Sequence, residues 1–110
     1  MKAAVFEGPG KMTVQDIPKP KVKAGEILIN VKACAVCGTD LKIFQHGHHN
    51  VKPPQVIGHE IAGVIAEMGD GVTGYNIGDR VIIVTPVGCG ICDTCRQGRP
   101  NLCYNFKAIG

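Results

Sequence analysis

The sequence predicts a mainly β domain: a small, barrel-like sheet carrying a metal-stapled lobe at its C-terminal end. Three observations predict it. Short runs rich in Val and Ile are punctuated by glycine and proline, and no segment sustains a helical period over about ten residues. The 15 glycines are about twice the ordinary share of roughly 7%, as tight turns between strands require. Four of the 6 cysteines crowd into a turn-rich stretch, residues 86–106.

The elements follow in order. Lys2–Glu7 reads as a first strand, closed by a turn at Gly8-Pro9-Gly10. Lys11–Ile17 alternates apolar and polar residues and reads as its partner. Pro18, Pro20 and Gly25 mark a loop, and the basic cluster Lys19–Lys23 within it reads as a solvated stretch. Glu26–Val36 alternates at first and then becomes small and apolar, as a strand entering a buried site would. Thr39–Gln45 is expected to make one short helical turn, and residues 46–57, with three histidines and Pro53-Pro54, a loop. Ile61–Met68 and Arg80–Thr85 are the expected core strands, with a turn at Gly78-Asp79 between them.

Composition sets bounds. A chain of 110 residues fits one domain, and 45% hydrophobic against 19% charged residues is ordinary for a globular protein. A net charge of +3 with dispersed lysines excludes a nucleic-acid footprint. No run approaches the roughly 18–20 apolar residues of a membrane span. Residues 1–7 are too short for a secretory core, so 6 cysteines argue for a cytoplasmic setting and metal or redox chemistry rather than a disulfide framework.

Cys89, Cys92, Cys95 and Cys103 follow C-x2-C-x2-C-x7-C. Close cysteine pairs let one turn wrap a tetrahedral zinc, and Gly88, Gly90 and Gly98 are expected to supply the backbone angles of such a wrap. An iron–sulfur cluster would favour a last spacing of about three followed by proline. Disulfides between cysteines so close would close strained loops. A second constellation joins Cys37-Gly38-Thr39-Asp40 to Gly58-His59-Glu60. Cys, His and carboxylate are zinc ligand types. Spacing alone leaves a buried cysteine and a satisfied core histidine equally open.

The order of the motifs carries more. Cys-Gly-Thr-Asp, then Pro-Pro-x-Val-Ile-Gly-His-Glu-x-Ala-Gly-Val-Ile, then Gly-Asp-Arg-Val, then the four-cysteine lobe, resembles the zinc-dependent medium-chain dehydrogenases, among them alcohol, sorbitol and threonine dehydrogenases. The resemblance runs over nearly the whole chain. It implies a GroES-like, partly open β-barrel, with residues 1–110 as the N-terminal catalytic domain and 86–106 as its structural-zinc lobe. It implies that Cys37 and His59 ligate a catalytic zinc, with Glu60 ligating it or lying beside it. By the same resemblance Thr39 relays the alcohol proton, Asp40 orients His59, and Cys89, Cys92, Cys95 and Cys103 hold a structural zinc. Gly38 departs from liver-type alcohol dehydrogenases, which carry a basic residue there, so a phosphate contact from that position is lost. The family oxidises alcohols or polyols by hydride transfer to NAD or NADP, as dimers or tetramers. The Rossmann domain that binds the nucleotide, and a further ligand of the catalytic zinc, are expected beyond these residues; the chain is expected to be a fragment, inactive alone.

Weaker signals point to structure. Gly69-Asp70-Gly71-Val72-Thr73-Gly74 spells a dinucleotide fingerprint but leads into a strand rather than a helix, and reads as a turn. Cys34 pairs with Cys37 in C-x-x-C and reads as a small core residue. His46, His48 and His49 read as solvated, or as lining a substrate cleft between the two ligand motifs. Two function classes remain: an oxidoreductase domain, or a free-standing structural zinc module.

Overall fold

A computed structural model describes all 110 residues. The architecture is mainly β: two three-stranded antiparallel sheets and a small two-stranded one. The first sheet has the order β2-β1-β4, with β1 Lys2–Gly8, β2 Lys11–Asp16 and β4 Gln55–Val56. β1 and β2 pair in register from Lys2↔Asp16 to Phe6↔Met12, joined by the expected tight turn. The second sheet has the order β3-β5-β6, with β3 Ile27–Ala35, β5 Glu60–Met68 and β6 Arg80–Ile82. A helix, α1 Gly38–His46, connects β3 to the loop before β4. The third sheet, β7 Pro86–Val87 with β8 Lys107–Ala108, brackets the cysteine lobe, which holds the short helix α2 Asp93–Arg96 and a 3-10 turn at Pro100–Leu102. No helix is long and apolar enough to cross a membrane.

Strands form at Lys2–Gly8, Lys11–Asp16 and Ile27–Ala35 as expected, though β3 shows no alternation in burial, and Gly69–Gly74 forms turns and loop between β5 and β6. Four expectations are corrected. Residues 46–57 are not all loop: His46 closes a helix, and Gln55–Val56 pair with β1. Thr39–Gln45 is not one turn but part of a nine-residue helix. Only Asp40 and Ile43 of that helix are buried, so it shows no apolar stripe in the sequence. Arg80–Thr85 is not a core strand: its regular part ends at Ile82, and Ile82 and Val84 are 76% and 72% exposed. β6 is an edge strand, and a β-branched run reads the same whether or not something covers it. Cys34 is exposed rather than buried, on a stretch of β3 whose side chains remain open from Asn30 onward.

The buried set is small, 7 of 110 residues, led by Phe6 and Ile65 with Val5 and Ile43. Backbone contact therefore matters as much as side-chain packing. At the end of the β3–β5 ladder, Gly69 N–H donates to Glu26 O at 2.9 Å and Gly25 N–H to Asp70 O at 2.8 Å. A Cβ at Gly69 would lie 1.9 Å from the Lys23 carbonyl oxygen and 3.1 Å from Val22 Cγ1. Gly69→Ala is expected to cost about 2 kcal/mol or more in chemical denaturation. Gly38→Ala, where nothing lies within 4 Å, is expected to be neutral or to gain about 0.4–1 kcal/mol.

Candidate metal centres

The four lobe cysteines converge. Their Sγ atoms all lie within 4.8 Å of one another, and Cys92 Sγ is 3.9 Å from Cys103 Sγ. That is far beyond a disulfide bond of about 2.05 Å, and all six cysteines are free thiols. It is close to the roughly 3.8 Å edge of a tetrahedron with metal–sulfur bonds of about 2.3 Å. Soft sulfur donors in that arrangement fit zinc.

Backbone amides turn toward the sulfurs. Cys89 N–H and Asn105 N–H each donate to Cys103 Sγ at 3.3 Å, and Cys92 N–H donates to Cys89 Sγ at 3.4 Å. Gly90 and Gly98 take φ of +74°, as expected. Gly88 does not have a positive φ; it is needed for space. A Cβ there would lie 2.7 Å from Cys95 Sγ and 2.8 Å from Pro100 Cβ.

Sequence reading missed Thr94. Its hydroxyl lies 3.1 Å from Cys92 Sγ and 3.1 Å from the Leu102 carbonyl. That hydroxyl, followed by the Cys95 backbone amide, brings the Cys92 thiol down to about 6. Backbone amides of Ile91 and Cys92 lower Cys89. Burial, opposed only in part by the Gly90 amide, pushes Cys95 up to about 12. Four sulfurs in so small a volume cannot all ionise without a cation between them.

The second cluster is built by the β3–β5 ladder. Ala35 is the register partner of Glu60; Cys37 lies just beyond the end of β3 and His59 just before β5. Cys37 Sγ is 3.1 Å from His59 Nε2. Cys37 is also the N-cap of α1: its Sγ accepts from Thr39 N–H at 3.2 Å, and Asp40 Oδ2 accepts from Cys37 N–H at 2.9 Å, a reciprocal capping box. Asp40 is buried, and its Oδ1 makes no hydrogen bond; His59 Nδ1 stands 3.4 Å away. Gly58, at φ +121°, turns the chain into His59, and a side chain there would strike Cys34 Sγ.

The ligand atoms of Cys37, Asp40 and His59 converge within 4.8 Å, so these residues could hold a metal ion. Glu60 is not among the converging groups. It is the next residue along an extended chain, exposed, and lines a separate apolar hollow with Ile82 and Val84.

Thr39 and His59 line a cleft of about 550 Å³ together with His48, Gln55, Phe106 and Lys107. Of these, Phe106 and Lys107 had no sequence signal, because they follow the last cysteine of the lobe with no motif around them. His46 does not line the cleft.

A β-domain with a four-sulfur lobe and a separate Cys–His–Asp cluster beside an open cleft defines a metal-binding class of domain. The family model described as the alcohol dehydrogenase GroES-like domain matches residues 23–110, and the chain belongs to that family. It is 45% identical over 98 residues to an L-threonine 3-dehydrogenase of Pyrococcus horikoshii, covering 86% of this chain and 28% of that protein. It is 40% identical over 112 residues to a sorbitol dehydrogenase of Bacillus subtilis, covering 99% and 32%. Among solved structures, a galactitol-1-phosphate dehydrogenase from Escherichia coli superposes with a TM-score of 0.93 at 29% identity, over 100% of this chain and 32% of that one. A zinc-binding dehydrogenase from Sinorhizobium meliloti 1021, bound to NADP, gives 0.88 at 37% identity over 99% and 32%. The chain spans about a third of the length of the curated relatives it matches.

The sulfur environment yields a test. In the reduced, metal-free lobe, Cys92 is expected to be largely ionised at pH 7 and to react readily with iodoacetamide. Thr94→Val removes the first cause of that shift, so the titration of Cys92 moves upward and its alkylation at pH 7 slows. Mass-spectrometric rates for Cys92 across pH 5–9 measure it; an unchanged profile would show that the hydroxyl does not act on the sulfur.

Proposed function

We propose that residues 1–110 form the N-terminal substrate- and zinc-binding domain of a zinc-dependent alcohol or polyol dehydrogenase linked to NAD or NADP. The observation that carries this reading is the convergence of Cys37, His59 and Asp40 beside a cleft that Thr39 and His59 line. A stand-alone zinc module would need only the lobe. The second cluster, with one sulfur, one imidazole and a buried carboxylate behind the imidazole, is what a three-ligand catalytic site begins from. The NADP-bound relative of this fold supports the cofactor class.

Cys37 and His59 would hold the catalytic zinc, and Cys89, Cys92, Cys95 and Cys103 the structural one. Zinc at the first site supplies Lewis acidity that draws the pKa of a substrate hydroxyl toward neutrality. A bound nicotinamide supplies the hydride acceptor. The chain's own residues do the rest. Asp40 would fix the tautomer of His59: its free Oδ1, 3.4 Å from Nδ1, can only accept, which leaves Nε2 as the ligand atom. Thr39 receives the proton of the substrate hydroxyl through its own hydroxyl and passes it to solvent along the cleft. Glu60, the residue after His59, would supply a carboxylate beside the site. The nucleotide-binding Rossmann domain and a further zinc ligand are proposed to come from outside residues 1–110, so the chain alone would not transfer hydride. A cytoplasmic setting would keep its six thiols reduced, and the intact enzyme would be a homo-oligomer.

Elemental analysis of the intact protein is expected to give about two zinc ions per chain. Cys103→Ala should remove one and Cys37→Ala the other. Thr39→Val should lower kcat by about 100-fold or more with zinc content unchanged, and Asp40→Asn should weaken zinc at the Cys37 site by about 10–100-fold in chelator competition. Full activity in a Cys37→Ala, His59→Ala variant would sink the catalytic reading and leave only the lobe.

A further inference from the structure

A short run of chain joins the lobe to the cleft. Residues 106–110 follow closely on Cys103, the last lobe cysteine, and all of them line the cleft that Thr39 and His59 also line. This stretch of wall has few anchors of its own. Its strand, β8, is two exposed residues long and pairs with Pro86 and Val87 alone. Beyond it, Ile109 N–H reaches Thr85 O at 3.4 Å. At its start the anchor is Cys103, itself 6% exposed. Asn105 N–H donates to Cys103 Sγ at 3.3 Å, and the same sulfur accepts from Cys89 N–H at 3.3 Å. Phe106 N–H donates to Cys103 O at 3.2 Å. At its far end the wall meets the second cluster. A Cβ at Gly110 would lie 2.1 Å from Gly58 O and 3.0 Å from His59 Cβ, so the backbone of Gly110 lies directly against the peptide that carries His59. Cys34 Sγ closes the space beside Gly58, 2.8 Å from where a Cβ would stand.

From this we infer that the lobe positions the candidate catalytic site: Cys103, acting through residues 105–110, sets the cleft wall and the Gly58–His59 peptide, so that a metal held at the four cysteines tightens the hold of Cys37 and His59 on their own. With a cation among the four sulfurs, Cys103 Sγ is fixed in place and carries thiolate charge, and an amide bond to a charged acceptor is the stronger kind. Asn105 then leaves the lobe in one direction, and the residues after it reach Gly58 with their close backbone contact intact. Without the cation, Sγ is held by hydrogen bonds alone, the Asn105 bond weakens, and the wall depends on a two-residue ladder. His59 then loses the backbone packed against its Cβ. A wider range of ring positions must be narrowed each time Nε2 takes a metal, and that ordering costs affinity. Two sites that share one ordered segment are coupled, and the coupling is reciprocal. The inference rests on the reading of both clusters as zinc sites and adds that they do not fill independently.

The test uses the intact protein, stripped of metal and titrated with Co2+ against a chelator of known affinity. Co2+ among four sulfurs and Co2+ on one sulfur with an imidazole absorb differently, so the two sites are read separately. In Cys95→Ser, where the lobe gives up a ligand, Co2+ at Cys37 and His59 is expected to bind at least about five-fold more weakly than in the unaltered protein. Gly110→Ala leaves every lobe ligand in place and drives the wall away from Gly58. Its four-sulfur spectrum should be unchanged and its affinity at Cys37 and His59 again at least about five-fold lower. Cys37→Ala should in turn weaken Co2+ in the lobe. A lobe that only stabilised the fold would lower the melting temperature of Cys95→Ser and leave the spectrum and affinity of the other site unmoved. Unchanged affinity at Cys37 and His59, in Gly110→Ala or in a folded Cys95→Ser, would overturn the inference. Should Cys95→Ser fail to fold, Gly110→Ala and the reciprocal loss in Cys37→Ala decide it. An unaltered protein that shows the four-sulfur spectrum alone would instead remove the reading of Cys37 and His59 as a metal site.

Discussion

The antiparallel register of β3 on β5 is the constraint on which the candidate catalytic site depends. Eight residue pairs run from Ile27↔Met68 to Ala35↔Glu60. The chain leaves β3 into Cys37 at the same end at which it enters β5 from His59. Side-chain direction alternates along a strand, so a one-residue slip would send His59 to the opposite face and separate it from Cys37. Irregularities between Leu28 and Ile29 and between Val31 and Ala33 break the ladder into stretches, and Gly63 fixes one of them. A Cβ at Gly63 would lie 2.6 Å from Asn30 O and 2.5 Å from Ile29 Cγ2. The ladder therefore contains a point of close backbone approach, and the Cys37–His59 pair lies at the end of that same ladder.

The two clusters are held by different means. The Cys37–His59 pair sits on a ladder and a capped helix, so its geometry is set by backbone structure around it. The lobe has no such frame. Of its residues only Cys103 is buried, and Ile91 and Tyr104 are more than 70% exposed. Its short helix and 3-10 turn are each less than two turns long, below what is stable in isolation. What gathers this segment is the sulfur cluster at its centre and the β7–β8 pair at its base. Such a loop has little core of its own, and its glycines and cysteines are tied closely to one another in space.

This division explains what could be read from the sequence. The convergence of the four lobe cysteines was legible because it depends on residue type and spacing, and both are written in order along the chain. The strands were legible where alternation marked them, as in Lys11–Asp16, or β-branched residues did, as in Ile61–Met68. Helix α1 was legible in place, as a helical turn at Thr39–Gln45, but not in length, because it is ordered by a cap at Cys37 and Asp40 and a single buried Ile43 rather than by an apolar stripe. The exposure of Ile82, Val84 and Cys34 was not, because composition records what can be buried and not what lies over it. Gly88 was assigned the wrong reason: a glycine needed for space and one needed for a left-handed angle look identical in a sequence.

The two histidines on the cleft show how much rests on hydrogen-bond partners. Both present an imidazole to the same space, and the sequence offers no way to tell their roles apart. At His59, the neighbour of Nδ1 is the free oxygen of a buried carboxylate, Asp40, which can only accept. That partner calls for a proton on Nδ1 and leaves Nε2 with its lone pair, the form in which imidazole binds a metal. At His48 the neighbour of Nδ1 is a backbone amide, which can only donate. That partner calls for the lone pair on Nδ1 and leaves Nε2 as an N–H, the form in which imidazole binds an oxygen. Asp40 does more than choose a tautomer, because its other oxygen holds the amide of Cys37 at 2.9 Å. One buried side chain thus ties the helix that carries one candidate ligand to the strand entry that carries the other. Replacing it with an amide would keep the shape but give up the acceptor-only character that both contacts depend on.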